Sequence, residues 1–501
     1  MNSLVPLGTG AWIFIGVYLF SLIGIGFLGR RARRENTMAD FYLAGPGFGF
    51  SILFLTLFAT QYSGNTFFAF TGATYRVGYP WILSLHFMTA VVICYLIYAP
   101  KLFVLAKSRN YVTPSDYVQD RFNHRGLSLL VSIIMIVALC NFLLAQLMAM
   151  GRAMQGLSQF HGDGAYIGGV IVLALIMVVY GTLGGLRAVA WTDAIQGVTL
   201  AIGFAILFFL LVDHYGPLEN ATRKLLAEDI ANGTRKTLPP DANASRMWLS
   251  YILTAGLAVS LYPQAIQRIY AARSSNALRK SLGVMAFMPI PTMLIALTAG
   301  IMASAYIPGL EAAASDQIFG RVLRDIQSHS SFGYGLVVVL LAAVLAAMMS
   351  TADSALLSIS SMFTKDIYSR HIRPEATESD LTVVGKVCSW ILISALVGLA
   401  ILLRDQASLV AIMDRKLDLL VQLVPVIMLG LRWSGLRAIP CLCGLVLGVA
   451  VALIIPFGGF EFVSKGKIFG FHPGLIALLP NMSIAILGSL YLTQDMSKTV
   501  N

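Results

Sequence analysis

Apolar residues run in stretches of about 20, long enough to cross a bilayer as helices. They fall at 10–29, 48–77, 80–100, 128–150, 165–183, 188–213, 247–269, 281–306, 333–364, 382–403, 409–431, 437–456 and 472–493. This pattern predicts an all-α polytopic membrane protein with about thirteen transmembrane helices. The poorest run is 409–431, whose first half carries Asp414, Arg415, Lys416 and Asp418. Those charges read either as an outward helix extension into water or as contacts to a solute. Two other runs are interrupted. Thr60-Gln61-Tyr62-Ser63-Gly64-Asn65-Thr66 lies in the middle of 48–77, and Tyr262-Pro263-Gln264 breaks 247–269 toward its inner end. Non-helical backbone at membrane depth is tolerated where it lines a cavity, and paired broken helices point to a transporter's binding site. Counting 48–77 as the first core helix makes 247–269 the sixth. The spacing predicts two five-helix repeats, 48–213 and 247–431, within one transporter domain spanning residues 1–501.

The run 333–364 holds a polar stripe. Ala347, Ser350, Thr351, Ser354, Ser358 and Ser361 recur at helical spacing and share one face, with Asp353 at its flank. An ionisable residue at this depth costs at least about 2.5 kcal/mol, so it faces a cavity, a partner or an ion. Small oxygen-bearing side chains suit a hard cation such as sodium. They equally serve as hydrogen-bonding contacts between membrane helices.

Composition agrees with the pattern. Of 501 residues, 57% are apolar and 12% charged, against about 25% charged in soluble domains. With the N-terminus outside, 21 of the 35 Lys and Arg fall in inner loops, so the positive-inside rule predicts an N-out, C-in protein of the cell (inner) membrane. The net charge of +11 then reflects topology and contact with anionic headgroups of the lipid bilayer, and no nucleic-acid partner is expected. The N-terminus lacks a basic segment and a small-residue cleavage site, so the first span is expected to be retained. The five cysteines all lie in predicted helices and suggest no disulfide framework. Of the longer connections, 214–246 is expected to hold one short helix and 308–332 a short surface helix. No soluble enzyme or signalling domain and no obligatory protein partner is evident.

Two further motifs carry chemistry. Gly184-Gly185-Leu186-Arg187-Ala188-Val189-Ala190-Trp191-Thr192-Asp193 reads as an inner turn entering a helix. Asp193 is placed near the inner membrane face, within reach of water, where a carboxylate favoured by the helix dipole is the simple alternative to an ion ligand. Pro263-Gln264-Ala265-Ile266-Gln267-Arg268 joins a helix-breaking proline to two amides and a charge. Gln146 is a mid-span amide, a common interhelical contact as well as a possible ligand.

Together with Met349-Ser350-Thr351-Ala352-Asp353-Ser354, these motifs resemble the signatures of the sodium:solute symporter family, in the family's order and over the whole chain. The family includes the proline, pantothenate, sialic acid and sodium/glucose symporters. The resemblance implies a LeuT-like 5+5 inverted-repeat core with broken first and sixth helices, and Na+ as the coupling ion. It implies a main sodium site at Ala59, Tyr62, Ala347, Ser350 and Thr351. Members with two sodium ions suggest a second cation at Asp193, Asp353 and Ser354, although Asp353 stands where those members have Ser. Substrate contacts are implied at Gln61, Ser63, Gly64, Gln146 and Gln264.

The expected function is secondary-active, sodium-coupled symport of a small organic solute by alternating access. An organic acid such as pantothenate or a monocarboxylate is favoured over an amino acid such as proline. A transport-derived sensor or a channel is the alternative from another class, and an enzyme is not expected.

Overall fold

A computed structural model describes residues 8–498 apart from 46, 63, 158–162, 311, 328–330, 405–408, 458–459, 461–462 and 465. Helix α1 spans Thr9–Arg31, and the first broken span is α2 (Phe50–Gln61) followed by α3 (Gly64–Val77). Next come α4 (Leu83–Arg109), the short connecting α5 (Pro114–Phe122), α6 (Arg125–Leu157) and α7 (Asp163–Tyr215). A connecting helix α8 (Leu218–Asn232) leads to the second broken span, α9 (Ala242–Ser260) and α10 (Pro263–Ala271). The chain continues through α11 (Ser275–Met285), α12 (Pro289–Tyr306), α13 (Ile318–Ile326), α14 (Ser331–Met362) and α15 (Glu378–Leu402). It ends with α16 (Leu409–Leu420), α17 (Ala438–Phe457), a hairpin of β1 (Val463–Ser464) and β2 (Lys467–Ile468), and α18 (Pro473–Lys498).

Among the described residues nine helices are long and apolar enough to cross a membrane, and the bent pair α9–α10 makes a tenth. The remaining difference from thirteen has local causes. Helix α7 runs 53 residues, about 80 Å at 1.5 Å per residue, against about 30 Å of hydrocarbon. Gly185, at φ 60° and ψ −156°, divides it. Only glycine fits there, since a Cβ would run into the Phe41 carbonyl. The pieces α2 and α3 are each too short alone, and α16 loses regular α-geometry at Val421–Leu429, where Pro425 stands. The chain is a multi-pass membrane protein whose candidate spans are all helices.

Both breaks lie where polar residues interrupted the apolar pattern. At the first, Tyr62 leaves helical geometry (φ −113°, ψ 77°) directly after Gln61. At the second, Leu261 and Tyr262 separate α9 from α10, the halves meet at 50°, and Pro263 opens α10. Proline is well placed there because the first helical N–H has no intrahelical acceptor anyway. Helix α1 lies close on α7, where a Cβ on Gly26 would touch Tyr180 and one on Gly29 would touch Ala188.

One connection differs from expectation. The helix foreseen in 308–332 is no surface element. Ile318, Phe319, Val322, Leu323 and Ile326 of α13 are buried, and Phe319 stacks edge-on against Phe68 at 5.3 Å. Its apolar residues recur every three or four positions, the mark of a helix with one buried face.

Candidate ion and solute site

The stripe on α14 meets the first break. The Thr351 hydroxyl donates to the Ala59 carbonyl at 3.2 Å and to the Ala347 carbonyl at 2.9 Å. Ala59, Ala347 and Thr351 are all fully buried. Three hard oxygens therefore converge where α2 ends. Carbonyls released at a broken membrane helix are the kind of ligand that holds sodium in transporters. Of the five residues expected at a main sodium site, Tyr62 is the break itself, and Ser350 turns its hydroxyl to Asp193.

Below this point the stripe is fully engaged. Ser354 accepts from Arg268 at 2.7 Å, Ser358 donates to Gln267 Oε1 at 2.5 Å, and Ser361 accepts from Gln267 Nε2 at 2.7 Å. These bonds tie α14 to α10. From Ser354 onward the stripe is thus interhelical contact, while Thr351 brings it to the carbonyls at the first break.

Asp193 is not where water reaches it. It is fully buried, paired with Arg268 at 2.9 Å, and accepts from the hydroxyls of Thr56 and Ser350. Arg268, also fully buried, bonds Thr56 at 2.8 Å and the Gln264 carbonyl at 3.1 Å as well. The correction has a physical reason: after the break at Gly185, α7 packs against α2, and Arg268 reaches Asp193 there from α10. The guanidinium lies between Asp193 and Ser354, bonded to both, in the place the sequence suggested for a second cation. Asp353 takes no part in that network. It is fully buried, neither carboxylate oxygen has a hydrogen-bond partner among the described residues, and it leaves no room for a Cβ on Gly181.

About 680 Å³ of space not filled by atoms, part of it open to the outside, forms a cavity beside the first break. Its walls are aromatic, from Phe70, Trp81, Phe87, Phe142, Tyr251 and Tyr262, with Thr60, Gln61 and Thr66 as polar points. Asp414 and Lys416 also line it. The expected extension of these charges into water is therefore overturned: Asp414, Lys416 and Asp418 are 6%, 2% and 2% exposed. Long-range packing buries them. Asp414 accepts from Lys467 on β2 at 2.8 Å and from the Tyr251 hydroxyl at 2.9 and 3.1 Å, with His472 Nε2 at 3.8 Å. Asp418 accepts from the Gly474 amide at 2.8 Å and from Arg415 at 3.2 Å. The Lys416 ammonium has no hydrogen-bond partner among the described residues and rests on the rings of Phe142 and Tyr262, 3.5 and 5.0 Å from their centroids.

Of the substrate contacts implied by sequence, Gln61 lines this cavity and Gly64 opens α3. Ser63 lies outside the described residues. Gln146 and Gln264 are buried but stand away from the lining. The sequence missed Thr56 and the aromatic walls, and it left Arg268 as a polar cap. Lone hydroxyls and aromatics in apolar runs carry no mark that separates lining from core.

A model of the sodium:solute symporter family matches residues 41–448. Among characterised relatives, the sodium/pantothenate symporter of Escherichia coli is 25% identical, over 96% of this chain and 97% of its own. The monocarboxylate transport permease of Rhizobium johnstonii is 24% identical, with 96% of each chain covered. The sodium/proline symporter of Staphylococcus aureus is 26% identical over 93% of this chain and 90% of its own. Among solved structures, a substrate-bound, outward-open Na+-coupled sialic acid symporter superposes with a TM-score of 0.77. It shares 18% identity and covers 97% of this chain and 98% of its own. A nucleobase-cation-symport-1 family transporter gives 0.52 at 15% identity, with 92% and 95% covered.

Proposed function

The chain belongs to the sodium:solute symporter family, and from that premise we propose that it imports a small organic acid driven by sodium. A sodium-coupled solute symporter of this family is a transporter and not an enzyme. The observation that carries the finer reading is the Thr351 hydroxyl on the Ala59 carbonyl, two residues before Gln61 reaches the cavity. Sodium is the co-transported ion, held by Ala59, Tyr62, Ala347, Ser350 and Thr351. Carbonyl and hydroxyl oxygens are the donors a hard, weakly bound cation selects. Solute binds in the aromatic cavity against Gln61, with Ser63, Gly64, Gln146 and Gln264 as the further contacts the family resemblance implies.

Ion and solute then share one broken helix. Sodium at the Ala59 carbonyl orders the α2–α3 break, and the same break presents Gln61 to the solute. Each ligand thereby favours the conformation the other needs, which is the thermodynamic content of coupling. Alternating access follows from rocking of repeat 48–213 against 247–431 in an N-out protein of the cell membrane. A second cation at Asp193, Asp353 and Ser354 requires Arg268 to release Asp193 and Ser354, so it belongs to a different conformation. Relatives named for pantothenate and monocarboxylate support the acid assignment.

The test is uptake into proteoliposomes under an imposed sodium or potassium gradient, followed by counterflow. Sodium alone should drive saturable accumulation of an organic acid, with exchange of labelled for unlabelled solute. Conductance without counterflow would make the protein a channel.

A further inference from the structure

We propose that Lys416 is the anchor for the solute carboxylate, and that the cavity selects a monocarboxylate with a compact apolar or aromatic body. The inference rests on the cavity being the solute site and deepens that reading.

Lys416 is 2% exposed, yet it lines the cavity. A buried ammonium is costly unless a counter-charge and hydrogen bonds compensate it. Ring faces supply part of that: cation–π contacts contribute about 0.5–2 kcal/mol each. They leave all three N–H donors without an acceptor among the described residues. Asp414, the acid nearest in sequence, is already committed. It is paired with Lys467 and hydrogen-bonded by Tyr251, and it makes no hydrogen bond to Lys416. The cavity therefore presents one lysine nitrogen with no hydrogen-bond partner among the described residues. A carboxylate is the group that supplies both missing terms, through charge-assisted N–H···O bonds.

The remaining lining sets the rest of the solute. Lys416 is the one cation on the described lining, so a second carboxylate would find no second cation. An ammonium group beside the bound carboxylate would face Lys416 with like charge, while Asp414 on the same lining is already paired with Lys467, which disfavours zwitterions. The walls offer Phe70, Trp81, Phe87 and Phe142 to an apolar body, and Thr60 and Gln61 to one or two hydroxyl or amide groups. Aromatic walls with a few polar points are the usual make-up of a small-molecule site.

The test uses purified full-length protein in sodium, with butyrate, phenylacetate and pantothenate each set against its neutral counterpart, butyramide, phenylacetamide and pantothenol. Succinate and phenylalanine serve as controls, and binding is read by calorimetry. At least one acid should bind tighter than its neutral counterpart by about 10–150-fold, the value of a hydrogen bond to a charged group. Lys416→Met should erase that preference while the sodium-dependent melting shift remains. Equal binding of acid and neutral analogue in wild type overturns the proposal, as does an undiminished preference in Lys416→Met. So does binding of succinate or phenylalanine alone, or of no compound in the set. If Lys416→Met does not fold, the wild-type comparison alone decides. Loss of the sodium response in wild type would overturn the ion-coupled reading instead, so the two failures are distinguishable.

Discussion

Arg268 and Lys416 are both buried in the membrane-spanning bundle, and they are satisfied in opposite ways. Arg268 makes bonds to Asp193, Thr56, Ser354 and the Gln264 carbonyl, joining α10 to α2, α7 and α14. Lys416 makes none among the described residues and rests on the ring faces of Phe142 and Tyr262. A guanidinium with its donors in a planar fork suits a fixed network, whereas an ammonium on a flexible stem suits an exchangeable partner. Burial alone therefore does not mark a binding residue; burial without a partner, beside a cavity, does.

The comparison breaks most visibly through stability. Arg268→Met leaves Asp193 buried without its counter-charge and should cost about 3–5 kcal/mol, enough to remove most folded protein. Adding Asp193→Asn should recover part of the loss. Yield of monodisperse protein and melting temperature measure both. Lys416→Met should have the opposite sign. Removing an ammonium without a partner should leave melting unchanged or raised while acid binding falls. If both variants melt alike, the contrast between the two cations is wrong.

Within the stripe the same logic separates Thr351 from Ser361. Thr351→Ala should weaken sodium binding by about 1–3 kcal/mol, or roughly 5–150-fold, if its hydroxyl holds the ion directly. Ser361→Ala should leave sodium affinity intact and cost about 1–3 kcal/mol of stability from the lost bonds to Gln267 and to the Ser358 carbonyl. Sodium titrations followed by melting temperature distinguish them. Equal sodium affinity in both would make the whole stripe interhelical contact.

The breaks could be read from sequence because a polar cluster and a Tyr-Pro pair stand in apolar runs, where the backbone has nowhere else to lose helical bonds. The stripe could be read from its spacing. The partner of each hydroxyl could not, since Gln267 and Arg268 approach from another helix. Residues 414–418 look like a solvated helix end because four of five are charged. Only Tyr251 on α9 and Lys467, His472 and Gly474 from the far end of the chain show otherwise. Asp193 was misplaced for the same reason, its partner Arg268 lying 75 residues away. Local composition reports the membrane; it does not report which charges meet inside it.

The connecting helix α5 gives a smaller, pH-dependent effect. Asp116 accepts from the Val112 and Thr113 amides, from Lys365 at 2.8 Å and from Arg370 at 2.5 Å. Burial opposes its ionisation, but Lys365 and Arg370 outweigh it, and the carboxyl lies below its ordinary value. A depressed carboxyl contributes stability above its unfolded value of about 3.9 and loses it as pH falls through the folded value. Wild type should therefore out-melt Asp116→Asn at neutral pH, and the gap should close below about pH 4. A gap independent of pH would show that packing, not charge, holds this corner.

Coupling itself is tested by reciprocity. Sodium affinity should be measured with and without the tightest-binding acid of the set, and acid affinity with and without sodium. Because Ala59 and Gln61 lie on one broken helix, each ligand should tighten the other by the same factor, about 5–150-fold for a coupling of 1–3 kcal/mol. Affinities that stay independent of the other ligand would contradict sodium-coupled symport through this site.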